Sequence, residues 1–277
     1  MDLKEVHRQV GRIKGRLFRS SNSFAVGALK SSFRGSGLQF KEHQVYAHGD
    51  DVRFIDWKLT AKTNTTFVKT FEEERNVEIN ILLDLADTMF VGHGKVTKLE
   101  AALEIICLLY LLSKESNDKV RVIILAEQVW DIPFANGDRG IIRLLKFLEE
   151  KGVLGSDGHV NRNYPLEHPD LPEINTRQIL LHLRRSKEVI LLSDYYRFPR
   201  GPELKRILHQ RNVHAFRMLC DLDKGDRVKF FVDAFKHTAP LSVDTVRESD
   251  TELEELHVKD LWVSEKYLDN FIRVMTR

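Results

Sequence analysis

The chain has 277 residues, of which 43 are lysine or arginine and 41 are aspartate or glutamate, so its formal net charge is only +2. This length is enough for a full hydrophobic core, and the small net charge gives no support for a nucleic acid as partner of the whole protein. The sequence has no apolar stretch of the roughly 18 residues that cross a bilayer, and no apolar signal-peptide core. Two isolated cysteines, Cys107 and Cys220, argue against a disulfide framework. We therefore expect a cytoplasmic protein without a transmembrane segment.

Residues 1–34 form a basic arm with eight basic and two acidic side chains. Between Leu3 and Leu17, hydrophobic residues recur at spacings of three and four, which predicts an amphipathic helix. Such a helix can bind a nucleic acid or an anionic membrane surface, but docking onto protein is the commoner outcome. The basic arm alone therefore does not establish either kind of partner.

A polar and aromatic stretch follows a predicted turn at Gly49-Asp50. Its composition is typical of a buried network, in which Arg53 pairs with a carboxylate while Trp57 packs beneath; a specific binding role is the alternative. The residues that we select here are Gly49, Asp50, Asp51, Arg53, Asp56 and Trp57.

The apolar run from Val77 to Leu83 ends abruptly in Asp84. A continuous apolar run is typical of a buried parallel strand, and ligands bind beyond the carboxyl ends of such strands. Asp84 therefore lies where a functional site is expected, although a helix cap or loop anchor is an equally good explanation of this residue.

The rest of the chain alternates predicted helices and strands. Helices are predicted at 97–113, 139–151, from Asn175 or Thr176 to 185, and at 202–210, and strands at 119–126, 129–132, 188–193, 213–220 and 229–232. This alternation predicts an α/β fold, a doubly wound and mostly parallel sheet with helices on both faces. We divide the chain into a basic helix and signature segment at 1–75, an α/β domain at 76–243 and a C-terminal helical tail at 244–277.

Several motifs together resemble a bacterial family known as domain of unknown function 58 (DUF58). They are Phe33-Arg34-Gly35-Ser36-Gly37-Leu38-Gln39-Phe40, Gly49-Asp50-Asp51-Val52-Arg53-Phe54-Ile55-Asp56-Trp57, Thr60-Ala61-Lys62-Thr63 and Leu192-Ser193-Asp194. The resemblance implies a von Willebrand factor A-like domain with an N-terminal extension. Members of that family are often encoded beside MoxR-type AAA+ ATPases. The resemblance therefore implies a non-catalytic adaptor that binds such an ATPase and a client protein.

The resemblance also implies where a cation would bind. Von Willebrand factor A domains hold a metal in an adhesion site, whose positions correspond here to Asp84, Ala86, Thr88, Thr176 and Asp194. Alanine at position 86 removes one coordinating oxygen, and Mg²⁺ tolerates poor geometry badly. We therefore expect at most a degenerate site for Mg²⁺ or another divalent cation, held by Asp84, Thr88, Thr176 and Asp194.

The same sheet edge is the expected partner-contact surface, formed by Asp84, Asp87, Asp194 and Tyr195. The competing enzyme hypothesis is a magnesium-dependent phosphotransferase or hydrolase of the haloacid dehalogenase kind, with Asp84 as nucleophile. In that class the second acid follows two positions after the first, whereas here Asp87 follows three positions after Asp84. The sequence therefore favours the adaptor over the enzyme.

Overall fold

The computed structural model of the protein describes residues 37–74, 77–93, 96–126, 128–164, 173–184, 186, 188–209, 212–220, 223, 251–263 and 266–275. The backbone forms two compact units, one within Arg34–Val77 and one that contains the described residues from Glu78 onward. The predicted basic helix and the predicted strand at 229–232 lie outside the described residues. In the part of the chain that is described, no helix combines the length and the apolar character needed to cross a membrane.

The smaller unit is a β-hairpin with one short helix. Strand β1 (Gly37–Val45) pairs antiparallel with β2 (Phe67–Glu74). Helix α1 (Trp57–Thr63) begins because the Asp56 carboxylate accepts a hydrogen bond from the Leu59 amide at 3.0 Å, which satisfies a free amide of the first turn.

The larger unit is built on a six-stranded sheet. Its strands are β3 (Glu78–Asp84), β6 (Lys119–Leu125), β7 (Val129–Ala135), β8 (Glu188–Ser193), β9 (Val213–Leu219) and β10 (Lys259–Trp262). Their order across the sheet is β10-β9-β8-β3-β6-β7, and only β7 runs antiparallel to its neighbour. Two two-residue strands, β4 (Gly92–His93) and β5 (Val96–Thr97), form a separate hairpin.

Helices cover both faces of this sheet. They are α2 (Lys98–Ser116), α3 (Gly137–Glu150), α4 (Glu173–Leu183), α5 (Pro202–Leu208) and α6 (Tyr267–Met275). On one face, α2 contacts α3 and α6. On the other face, α4 and α5 pack in a core that includes Leu82, Ile123 and Leu191 from three neighbouring strands. The predicted α/β class with a mostly parallel sheet is therefore confirmed.

The burial of the central strands explains why they could be predicted from the sequence. All residues of β8 are buried, as are all residues of β3 after Glu78. A strand that is covered on both faces gains hydrophobic free energy at every position, so its sequence becomes continuously apolar. The two strands that carry Asp84 and Asp194 were predicted correctly for this reason.

The C-terminal segment differs from the expected helical tail. Residues 251–255 and α6 are helical, but β10 lies between them and pairs parallel with β9 at the edge of the sheet. A strand of four residues, in which Leu261 is fully buried, is too short to show an alternating pattern against its helical neighbours. The expected cap was also misplaced, because α4 begins at Glu173 and Thr176 lies within the helix.

Replacing Gly140 by alanine tests the packing of α2 against α3. In an exposed helix this change stabilises by about 1 kcal/mol, but a Cβ at Gly140 would lie 2.2 Å from Cδ1 of the fully buried Tyr110. We therefore expect Gly140→Ala to lower the free energy of unfolding by about 1–3 kcal/mol, measured by urea denaturation. Exposed Arg139 on the same helix gives the control, Arg139→Ala. A Gly140→Ala variant that is as stable as the control would contradict this packing.

Candidate functional site

The carboxyl ends of β3 and β8 bring two acidic residues to one edge of the sheet. The parallel register pairs Leu83 with Leu192, so Asp84 and Ser193 follow at the same level. Ser193 Oγ lies 2.6 Å from Asp84 Oδ2 and accepts a hydrogen bond from the Tyr195 amide at 2.8 Å. The sheet topology therefore creates the cluster that the strand predictions implied.

Asp84 is a buried carboxyl group, with 1% of its surface exposed. Burial, helped by the nearby charge of Asp194, raises the pKa of Asp84 to about 8, against the opposing effect of the Ser193 hydrogen bond. Its second oxygen, Oδ1, has no hydrogen-bond partner. Asp84 is therefore mostly protonated at neutral pH, which reduces the cost of keeping it in a dry environment.

A buried lysine lies beside the second acid. Lys98 Nζ donates hydrogen bonds to Asp194 Oδ2 and to Asp223 Oδ1, each at 3.1 Å, and only 1% of the lysine side chain is exposed. Burial opposes the lysine charge, but the Asp194 and Asp223 carboxylates outweigh it and raise the pKa of Lys98. The ammonium group is therefore a permanent positive charge within the cluster.

The position of Lys98 in the chain is unusual for a lysine. Lys98 is the first residue of α2, directly after Thr97, which caps the helix together with Glu100. The amino end of a helix carries a partial positive charge, so a lysine there is disfavoured unless anions surround it. The two carboxylates supply that compensation.

Further hydrogen bonds close the network around these ions. Asp194 Oδ1 accepts from Thr88 Oγ1 at 3.0 Å and from the Tyr196 amide at 3.2 Å. Asp223 accepts from the Tyr196 hydroxyl at 2.8 Å and from the Cys220 amide at 2.6 Å. The Tyr196 ring also faces the ammonium group, with Nζ 4.9 Å from the ring centre. Both carboxylates are thus satisfied within the protein.

The predicted contact surface at this edge needs correction. Asp84, Asp194 and Tyr195 are exposed by only 1–3%, so a partner cannot touch them in this arrangement. Asp87 is partly exposed, and its carboxylate accepts two hydrogen bonds of 3.3 Å from the Arg197 guanidinium group. Of the four residues predicted to meet a partner, only Asp87 reaches the surface.

The structure brings together three of the four predicted metal ligands. Asp84, Thr88 and Asp194 share the cluster, whereas Thr176 donates a weak hydrogen bond of 3.5 Å to Glu203 on α5. Each Asp194 oxygen is already engaged, and the positive charge of Lys98 lies 3.1 Å from Asp194 Oδ2. Among the described residues, no group of three or more His, Cys, Asp or Glu side chains is arranged to hold a metal ion. This arrangement does not fit Mg²⁺, which requires six well-placed oxygen ligands.

The signature residues of the smaller unit lie at its surface. Arg53 forms the expected bidentate pair with Asp51, but 81% of its side chain is exposed. The pair holds the pKa of Asp51 at about 2. Trp57 is 69% exposed, so the predicted buried network with Trp57 beneath it is wrong.

The other signature residues shape turns and caps. Gly49 has φ of 111°, which only glycine adopts readily, and Asp50 accepts a hydrogen bond from the Ala47 amide at 2.8 Å. Asp56 accepts from the Leu59 amide, and His43 and Lys69 also contact it, which together lower its pKa to about 2. These residues therefore fix the backbone from which Trp57 projects.

Sequence reasoning missed Lys98, Ser193 and Asp223 as members of the cluster. Lys98 gave one usable signal, because a lysine at the first position of a strongly apolar helix has no ordinary explanation. Asp223 gave no signal in the sequence, since an acid after a strand is common. Its side-chain partners, Lys98 and Tyr196, are distant in sequence.

Comparisons with known proteins give one family and several distant relatives. The model of a family described as "Protein of unknown function DUF58" matches residues 42–224. Over 90 residues, or 32% of this chain, the sequence is 26% identical to uncharacterized protein Rv1480 of Mycobacterium tuberculosis and to uncharacterized protein Mb1516 of Mycobacterium bovis. The match covers only 28% of the length of those relatives.

Two solved structures are also similar. Conserved hypothetical protein BatB from Bacteroides thetaiotaomicron aligns over 72% of this chain and 98% of its own, at 16% identity and a TM-score of 0.42. An aerotolerance-related membrane protein from Bacteroides fragilis has the same coverage and TM-score at 14% identity.

The pKa of Asp84 predicts how stability depends on pH. Below about pH 4 the folded and unfolded states both hold this proton, and between about 4 and 8 only the folded state keeps it. The stability that this group contributes is therefore complete in acid and is lost as the pH rises to about 8. Asp84→Asn removes the titration, so its free energy of unfolding should rise relative to wild type by up to about 1.4 kcal/mol per pH unit over this range. Urea denaturation at several pH values measures the difference, and parallel curves would show that Asp84 is ionised in the folded protein.

Proposed function

The chain belongs to the DUF58 family, and from this premise we propose that it is a non-catalytic adaptor for protein partners. Its principal partner is a MoxR-type AAA+ ATPase, and together they remodel or mature a client protein. Support for this partner comes from the family resemblance of the sequence. The structure contributes a separate argument about which surface is available for binding.

The observation that carries the proposal is a concentration of exposed hydrophobic side chains in the smaller unit. Five large hydrophobic residues are exposed among the described residues, and four of them lie in this unit. They are Phe40, Val45, Val52 and Trp57, with exposed fractions of 47%, 55%, 58% and 69%. Hydrophobic residues cost free energy when left in water, so these four side chains are available to a protein partner that would cover them.

Trp57 and Arg53 are the strongest candidates within this surface. Tryptophan and arginine are the residue types that contribute most often to binding free energy at protein interfaces. Arg53 is held in place by Asp51, and Trp57 is fixed at the start of α1 by the Asp56 cap. Because both side chains start from a rigid backbone, less conformational entropy is lost when a partner covers them.

The sheet-edge cluster favours an adaptor over the phosphotransferase. A carboxyl nucleophile must be ionised and must reach its substrate. Asp84 is buried, and its pKa of about 8 keeps it mostly neutral at pH 7. Asp194 is occupied by Lys98 and Thr88. The cluster therefore supports a structural role for these acids.

The proposal places the adaptor in the cytoplasm. Cys107 and Cys220 are both buried thiols. Burial raises the pKa of the Cys107 thiol, which keeps it protonated and unreactive. Two such thiols are compatible with a reducing compartment, where the ATPase partner would also find its nucleotide.

Trp57→Ala tests the binding surface. We expect the affinity for the purified MoxR-type ATPase of the same organism to fall at least tenfold, or about 1.4 kcal/mol, in biolayer interferometry. The melting temperature should stay close to that of wild type, because Trp57 contributes little to the core.

Leu181→Ala supplies the matched control. Leu181 is 62% exposed and is the one large exposed hydrophobic residue that the described part of the larger unit presents. Its replacement should leave the affinity unchanged. Equal affinities for both variants and wild type would remove the smaller unit from the binding surface, and no binding by wild type would reject the ATPase as partner.

A further inference from the structure

We infer that the Lys98 ammonium group replaces a divalent cation as the fixed positive charge at the carboxyl edge of the sheet, so that this site binds no Mg²⁺. The inference concerns how the cluster is held together and does not depend on the proposed partner. It reverses the expectation of a degenerate metal site that the family resemblance implied.

The positive charge of Lys98 lies beside a residue of the expected metal site. Lys98 Nζ lies 3.1 Å from an oxygen of Asp194, the residue that the resemblance assigned as a metal ligand. The lysine enters from α2, and Asp194 follows β8, so the contact joins elements that are 96 positions apart in the chain. An ammonium group donates up to three hydrogen bonds, and two of them go to the Asp194 and Asp223 carboxylates.

The cluster already contains a buried positive charge. Asp194 and Asp223 place two acidic side chains against Lys98, whose single positive charge is almost completely buried. A divalent cation next to Asp194 would therefore meet the ammonium group at short range in a medium of low dielectric constant, where repulsion is strong.

The oxygen atoms of Asp194 are already engaged within the protein. Asp194 already accepts three hydrogen bonds, from the Thr88 hydroxyl, the Lys98 ammonium group and the Tyr196 amide. Ala86 offers no side-chain oxygen, although it lies where the adhesion motif has a serine. A cation would have to break the lysine contacts before it could gain ligands. Alanine at position 86 and the lysine beside Asp194 are thus both consistent with a site that holds no cation.

The test compares the melting temperature of the EDTA-treated full-length protein with and without millimolar MgCl₂, CaCl₂ or MnCl₂. A cation that binds only the folded state must raise the melting temperature. We expect no rise for the wild-type protein with any of the three salts, relative to NaCl of equal ionic strength. A saturable rise that disappears in Asp194→Asn would overturn the inference, and this comparison requires no lysine variant to fold.

A second comparison tests the lysine itself. Lys98→Met keeps the length of the side chain but leaves two buried carboxylates without their counter-charge, so the melting temperature should fall by about 10 °C. Lys114→Met is the matched control on the same helix, because Lys114 is largely exposed and lies 3.9 Å from Asp138. Its replacement should change the melting temperature by no more than about 2 °C. Equal melting temperatures for the two variants would contradict a role for Lys98 as the central cation.

Discussion

The buried contact between Lys98 and the carboxylates of Asp194 and Asp223 is the interaction on which the carboxyl edge of the sheet depends. It joins the first residue of α2 to the residue after β8 and to the segment that follows β9. Removing three ionised groups from water costs free energy, which only close pairing and further hydrogen bonds can offset. Thr88, Tyr196 and the Cys220 amide provide those bonds. The ion pairs and hydrogen bonds at this edge therefore hold the three segments together.

The two regions considered for partner binding differ in how much of their side chains is exposed. The acids at the sheet edge are satisfied internally and inaccessible, whereas the smaller unit displays Trp57 and Arg53 to solvent. In the proposed function, partner capture through Trp57 needs no metal ion, because an exposed aromatic ring binds by hydrophobic contact. In the proposed function, the family signature at Gly49–Trp57 presents the residues that bind the partner.

The sequence predicted the fold better than the site. Strands β3 and β8 were recognisable because burial on both faces makes them continuously apolar, and their topology places Asp84 beside Ser193. Strand β10 was missed because four residues are too few to establish a period. Lys98 was missed because a buried ion pair depends on residues that are about 100 positions apart, and a lysine at the start of an apolar helix does not indicate which acid it pairs with. The exposure of Trp57 was mispredicted because an aromatic residue among charges is compatible with both core and interface.

The central claim is that lysine takes the place of a metal ion at this site, and a crystal structure with a metal reporter tests it most directly. Crystals grown in MnCl₂ and measured at the manganese absorption edge show any bound ion as an anomalous peak. The account predicts continuous density for Lys98 between Asp194 and Asp223, with no anomalous peak beside Asp84 or Asp194. A manganese peak coordinated by Asp194 and Thr88, with the Lys98 side chain displaced, would contradict it.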